Sequence, residues 1–516
     1  MKKILILLLA AVFGIAAQGV AQKKMGRYHK NLLYEADIYF VQGDYYYASE
    51  LYTELCKVEP NNGELLGKLG ICYFNLPTMK DEATRYLELA VSNEYNEARY
   101  FLAQTRMRDY RFYDALDLLE KYKSAGHREK SEPQIQHLLD AAERGIKMVQ
   151  APIPVTIHNL GEQVNSKLHD YAPVWDNSGE KLYFTSRRRY DDNSEKDISE
   201  QYDENIFFLN LKSEDPSAFP ANEPLNSRTN DAAAACSKDG NTIVIFRTRK
   251  DGYSGDLYIS EKDHYSWGPL EKLGSGVNSK YQEASASFGL DGSSEIFFSS
   301  DRPGGFGGKD IYRIAKLPNG EWGEPQNLGE KINTPYDEDA PFIASDGSLY
   351  FASRGHATMG GYDIFCAAAD GLDFKKPLNL GFPINTPGDD IFFTLDPTGK
   401  MAYFSSERLG GYGLQDIYQV VFDESNTVIF KGELHSEHEI ESQNAMVTLW
   451  NDESGEMEGK YQIDTQSRTF VLALNTNKKY TLLVEAEGFK PVEKSMYFDS
   501  EYTGENEIEE LVVLVK

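Results

Sequence analysis

Between residues 151 and 424 the sequence repeats itself five times, and this recurrence restricts the possible architecture more than any other feature. A segment opening on an acid occurs at Asp170, Asp231, Glu283, Asp339 and Asp390. A turn glycine follows nine residues later in four copies (Gly179, Gly240, Gly292, Gly399) and eight later at Gly347. Next comes an apolar and aromatic run, such as Leu182-Tyr183-Phe184, Ile296-Phe297-Phe298 or Leu349-Tyr350-Phe351. Each run ends near an arginine: Arg187, Arg249, Arg302, Arg354 or Arg408. A glycine-rich turn then leads to Asn205, Asp256, Asp310, Asp363 or Asp416, each followed by two apolar residues, and the last three of these starts stand 53 residues apart.

Short apolar runs separated by Gly and Asp turns predict strands joined as hairpins. A fourth strand carries an aromatic residue, Pro and Leu-Gly, from Trp267, Trp322 and Phe374, with a degenerate copy ending at Asn226. The fifth copy has no such strand after Tyr418, but a matching orphan, Val155 to Gly161, precedes the first copy. An N-terminal strand that completes the last four-stranded unit closes a ring and removes both exposed sheet edges. The expected architecture is therefore an all-β, five-bladed propeller over 151–424. The recurring Asp-Gly, Tyr-Phe-x-Ser-x-Arg, Gly-Gly and Asp-Ile-Tyr elements resemble the WD-like propeller repeat of the TolB type, which implies a periplasmic or envelope protein. The first copy departs from the pattern with a polar insertion from Arg187 to Glu204 and with Asn205 in place of Asp.

Antiparallel pairing puts the starts of the first strands, the ends of the second and the starts of the third on one face of the ring. That face then carries rings of acids and arginines, for which two readings stand. In one, each arginine pairs with the aspartate across its own hairpin, Arg302 with Asp310 and Arg354 with Asp363. In the other, acids converge on the central channel as a ligand or cation site, with Asp337, Asp339, Asp389 and Asp390 as its candidates. Carboxylates in a propeller channel serve some glycosidases. Against catalysis, these acids recur with every blade, as structural residues do. No Gly-x-Ser-x-Gly, His-Glu-x-x-His or paired Cys-x-x-Cys motif occurs. The expectation is a protein without enzymatic activity, catalytic residues or cofactor.

Residues 22–150 show helical spacing, with Gly and Pro between helices. Small residues recur at Ala36, Gly70 and Ala103 and again at Ala48, Ala83 and Ala115, with Tyr39, Tyr73 and Tyr110 as aromatic filler. This pattern, with Pro60 closing the first unit, resembles the tetratricopeptide (TPR) repeat. It implies an all-α solenoid of three units capped by a helix from Glu132 to Val149, whose concave groove binds a peptide or protein. Tyr28, Asn31, Glu35, Lys68, Arg99 and Tyr100 are the expected groove-facing residues. The alternative is a plain helical bundle. Cys56 and Cys72 lie in adjacent helices, and free buried thiols are the preferred reading.

Residues 425–516 alternate apolar and polar positions, as in Phe470, Leu472 and Leu474 or Tyr480, Leu482 and Val484. With Gly432, Asn444 and Gly488-Phe489 they resemble the carboxypeptidase-regulatory-like domain, which implies a small transthyretin-like β-sandwich without catalytic residues. At the other end, Lys2 and Lys3 precede the apolar run Ile4 to Ala17 and the small residues Gly19-Val20-Ala21, so 1–21 reads as a signal peptide. No cysteine follows it, and no later segment could span a bilayer. The net charge of −28 disfavours nucleic acid as partner, and four cysteines exclude a disulfide-stapled scaffold.

Taken in this order, the domains resemble OmpA-family, PorE-like envelope components associated with type IX secretion. Members of that family usually end in an OmpA-like peptidoglycan-binding domain, which is not found before Lys516. The resemblance implies a non-enzymatic scaffold in the periplasm or at the outer membrane, binding other envelope proteins or peptides, within an outer-membrane or peptidoglycan-associated complex. The rivals are a propeller that holds a glycan or metal ion in its channel, and a propeller hydrolase.

Overall fold

The structure is a computed structural model. It describes residues 25–126, 128–176, 180–192, 194–197, 200–213, 217–249, 254–264, 266–422, 427–438, 445–453, 455, 457–463, 467–499 and 507–516. The expected signal peptide and the turn glycine Gly179 lie outside them. The chain forms two compact units, divided between Ala98 and Arg99.

Among the described residues, seven α-helices lie before residue 150. They are α1 (Arg27–Gln42), α2 (Tyr45–Val58), α3 (Gly63–Asn75), α4 (Lys80–Ser92), α5 (Glu97–Arg108), α6 (Phe112–Ser124) and α7 (Glu132–Val149). In the first unit, Ala36, Ala48, Tyr52, Leu55, Leu69 and Cys72 form one buried cluster. Gly70 lets α3 approach α4, where a Cβ would press on Leu87. Burial pushes the Cys72 thiol up to about 12 and that of Cys56 up to about 11, so both are protonated at neutral pH.

This helical part is not the expected TPR solenoid. In a solenoid each repeat packs only on its neighbours. Here the later helices share a core with the β-structure. Tyr110, expected as filler between repeats, lies 5.4 Å from the Tyr461 ring and 6.1 Å from that of Phe382. Phe112, Leu119 and Leu138 join the same cluster as Phe430, Val447 and Phe470. The supposed capping helix α7, opened by a Ser131–Gln134 capping box, stacks His137 on Tyr336 at 4.3 Å. It also donates a hydrogen bond from Arg144 Nε to Thr358 O at 2.8 Å.

Residues 156–421 form a β-propeller of five four-stranded blades, one of which carries an added two-residue strand. The innermost strands are Asp170–Trp175, Asp231–Cys236, Ala286–Phe288, Glu338–Ile343 and Asp390–Leu395. Each touches the innermost strands of the two neighbouring blades, so they ring a central channel. The strand Thr156–Asn159 pairs antiparallel with Asp416–Val421, Thr156 opposite Val421, and supplies the outer edge of the last blade. Burial of the alternate aromatic row (Phe184, Phe298, Phe351 and Phe404, all at 1% exposure or less) fixes which face of the second strand packs in four of the blades.

The C-terminal region is a sandwich of a four-stranded and a three-stranded sheet. Its last strand, Glu507–Val513, runs parallel to Thr427–His435. No described helix is long and apolar enough to cross a membrane.

Candidate functional site: the channel mouth

One polar device holds each blade. A buried asparagine (Asn165, Asn226, Asn278, Asn333 or Asn385) accepts from the backbone N–H, and donates to the backbone C=O, of one third-strand residue. Those residues are Ile417, Ile206, Leu257, Ile311 and Ile364 respectively. Five residues after each asparagine stands an acid: Asp170, Asp231, Glu283, Glu338 or Asp390. Its carboxylate accepts the backbone N–H of the Ser or Thr that follows the asparagine. In four blades an arginine bridges this acid and a nearby backbone carbonyl: Arg188 with Asp170, Arg247 with Asp231, Arg302 with Glu283, Arg408 with Asp390.

These bonds correct the sequence expectation at four points. The recurring acid of the fourth blade is Glu338, not Asp339. The first blade's slot is filled by Arg188 rather than Arg187, and the second's by Arg247 rather than Arg249. Arg302 and Arg354 do not pair across their own hairpins; only Arg249 does, with Asp256 at 2.6 Å.

The fourth blade breaks the device. Its arginine sits one position early, and His356 takes over the carbonyl contact, Nε2 to Ile332 O at 2.8 Å. Among the described residues, Glu338 has no arginine partner. Held only by Ser353 and Thr334 and fully buried, its carboxyl is pushed up to about 7 by burial. The freed Arg354 turns instead to Asp389, at 3.0 and 2.8 Å from its two carboxylate oxygens, and lies 4.3 Å over the Tyr362 ring.

Around Tyr362 the non-recurring charged residues collect. Asp339 Oδ2 lies 2.7 Å from Lys309 Nζ, and its Oδ1 accepts from the Ser285 and Ser299 hydroxyls. Burial alone would raise the Asp339 carboxyl, but the Lys309 ammonium and the two hydroxyls outweigh it and hold the group below its ordinary value. Lys309 is raised in turn, chiefly by the Asp339 charge. Asp337 accepts from Lys309 N at 2.9 Å, and Asp389 from Tyr362 N at 2.8 Å. Burial, and then the Asp339 and Asp337 charges, raise the Tyr362 phenol. Arg354 and Asp389 are 45% and 26% exposed, so this end of the channel is open to solvent. Deeper in, the channel holds a cavity of about 100 Å³ lined by Ala172, Ala234, Ala286, Ala340 and Phe392. The inner strands bulge there, with φ of 51°, 51° and 59° at Ala172, Ala340 and Phe392.

The structure thus brings Asp337, Asp339 and Asp389 together and leaves out Asp390, which is locked to Thr386, Ser406 and Arg408. No three His, Cys, Asp or Glu side chains among the described residues are placed to share a metal ion. Lys309, Arg354 and Tyr362 were missed as site residues; their signal was a departure from the repeat. The expected peptide-binding residues do not form one groove within a unit. Tyr28, Asn31, Glu35 and Lys68 belong to the first unit, Arg99 and Tyr100 to the second. Tyr28, Asn31 and Glu35 are exposed on α1. Lys68 is engaged by Asp37 at 2.9 Å and Glu64 at 2.8 Å. Tyr100 packs on Tyr122 at 5.6 Å under the Lys130 ammonium, and burial raises its phenol to about 12.

No protein-family model matches the chain, and no curated protein matches it. Among solved structures, it is similar to a prolyl endopeptidase at 14% identity and a TM-score of 0.26, over 61% of this chain and 38% of that one. It is similar to the α-L-arabinofuranosidase from Lactobacillus brevis at 14% identity and a TM-score of 0.33, over 50% of this chain and 92% of that one. The β-propeller domain of the Trilobed protease from Pyrococcus furiosus matches at 10% identity and a TM-score of 0.26, over 50% of this chain and 94% of that one. The expectation of a non-enzymatic scaffold is corrected here. The argument against catalysis, that the acids recur with every blade, fails for Asp337, Asp339 and Asp389, which lie outside the recurring slot.

Proposed function

We propose that the propeller binds a carbohydrate at the charged mouth of its channel. The observation that supports this reading is the gathering there of the residues that break the repeat: Lys309, Asp337, Asp339, Arg354, Tyr362 and Asp389. A repeated scaffold keeps its structural bonds in every blade, so polar residues that abandon them at one place serve something else. Carboxylates alternating with ammonium and guanidinium groups suit vicinal hydroxyls, each of which donates to one and accepts from the other. The second reading is that the same carboxylates cleave a glycosidic bond. It is favoured by Asp339, a buried carboxylate held ionised by Lys309, as a nucleophile or base must be.

Screening the whole protein against a glycan array and a panel of nitrophenyl glycosides tests both readings. Asp339→Asn should abolish hydrolysis and weaken glycan binding at least tenfold. Wild-type protein that retains no glycan and cleaves no glycoside overturns the proposal. As setting we infer the periplasm or the outer membrane, from the basic and apolar leader and from the resemblance to OmpA-family, PorE-like proteins; other envelope proteins are the partners this suggests.

A further inference from the structure

Away from the channel, the ring-closing strand and the four-stranded sheet of the sandwich flank a cleft of about 400 Å³. Its apolar wall includes Val155, Phe382, Leu409, Leu449 and Tyr461. Most polar groups lining it are already occupied. Asn475 accepts from Thr156 Oγ1 at 2.8 Å, Glu458 accepts from Asn451 Nδ2 at 2.8 Å, and Arg408 serves Asp390, Ser406 and Ile384 O. Two groups are not. Lys478 Nζ has one described partner, Glu458 at a long 3.5 Å, with the side chain 17% exposed. The His158 ring lines the cleft with no hydrogen bond among the described residues. Burial, and then the Lys478 charge, lower the imidazole to about 4, so at neutral pH it offers one N–H and carries no charge. The walls are fixed by contact: Gly410, at φ +81°, lies so close to Met457 that a Cβ would collide with the Met457 carbonyl oxygen.

We propose that this cleft binds a small monocarboxylate with an apolar body. The carboxylate accepts from Lys478 Nζ and the His158 N–H, and the body lies along the Phe382, Leu449 and Tyr461 wall. An ammonium with one weak partner gains a charge-assisted bond, while Glu458 keeps its bond from Asn451. A volume of this size is that of a small-molecule pocket at a domain junction.

The test is calorimetric titration of the full-length protein with octanoate, octanamide and acetate. Octanoate should bind one to one, with octanamide (no charge) and acetate (no body) at least tenfold weaker. Lys478→Gln should cost tenfold or more in octanoate affinity, and His158→Phe should weaken it as well. Lys478→Met, which keeps the stem, serves if the glutamine variant does not fold. Octanoate affinity should also rise from pH 8 to pH 5.5, because the bound anion favours the imidazolium. The absence of saturable octanoate binding, equal affinity for octanamide, or unchanged affinity in the folded Lys478 variant overturns the proposal. Asp339→Asn at the channel mouth should leave octanoate binding intact, so this result stands apart from the carbohydrate reading.

Discussion

Replacing Asn278 by alanine should lower the melting temperature of the propeller by about 10 °C. The side chain is buried and makes three hydrogen bonds to backbone: it accepts from Leu257 N at 2.7 Å and donates to Leu257 O at 2.9 Å and Leu273 O at 2.7 Å. Truncation leaves those three groups without partners between the third strand and the outer edge of the second blade. At about 1 kcal/mol for each bond the loss is ~3 kcal/mol. For a domain of this size each kcal/mol moves the midpoint by roughly 2–4 °C. Differential scanning calorimetry reads the shift directly. Asn278→Asp should be at least as damaging, because a carboxylate would then face the carbonyls of Leu257 and Leu273. As a control, Asn319 is exposed and bonds to Glu321, so Asn319→Ala should move the midpoint by about 1 °C or less. An Asn278→Ala protein melting within about 2 °C of wild type would refute the reasoning and would mean that water replaces the amide.

Two further predictions concern the fourth blade and the domain junction. The Glu338 carboxyl is raised from 4.5 to about 7, so the folded protein keeps a proton that the unfolded chain releases. That contribution to stability is complete below pH 4.5 and is lost as pH rises towards 7, about 3 kcal/mol in all. Glu338→Gln should flatten the decline in melting temperature across this window and raise it at pH 8; a pH profile identical to wild type contradicts the assignment. Gly410→Ala should split calorimetric unfolding into separate propeller and sandwich transitions, since the new Cβ strikes the Met457 carbonyl from a left-handed backbone. A single unshifted transition would show that the junction yields without cost.

The propeller was legible because its period recurs and its apolar strands alternate with Gly and Asp turns. The exact slot of the fourth acid was not. Asp337, Glu338 and Asp339 stand side by side, and choosing Asp339 left an eight-residue spacing to Gly347 where the other copies have nine. The asparagine five residues upstream, Asn333, marks Glu338 without ambiguity, but its meaning lies in a backbone contact with Ile311 that sequence spacing alone does not display. The site was half legible for the same reason. Its acids drew notice as acids, whereas Arg354 showed only a one-residue departure from the Ser-x-Arg spacing of three other copies, and nothing in that shift names Asp389 and Tyr362 as its partners. The solenoid reading failed because small residues at helix contacts, such as Ala103 and Ala115, serve any close-packed helix pair. Nothing in their spacing reveals that Tyr110 and Phe112 complete the core of a β-sandwich more than 300 residues further along the chain.

The closure of the ring also has a temporal meaning. A chain synthesised from its N-terminus presents Thr156–Asn159 before any other strand of the ring, and the partner Asp416–Val421 last. All intervening blades have emerged before that pair can form, so the ring shuts once, late, and through contacts of high sequence separation. A product cut short before residue 416 holds an orphan first strand and a last blade with a raw edge, both open to pairing with other chains. Completeness of the polypeptide, rather than the quality of any single blade, therefore decides whether the nascent molecule becomes a closed ring or a seed for aggregation.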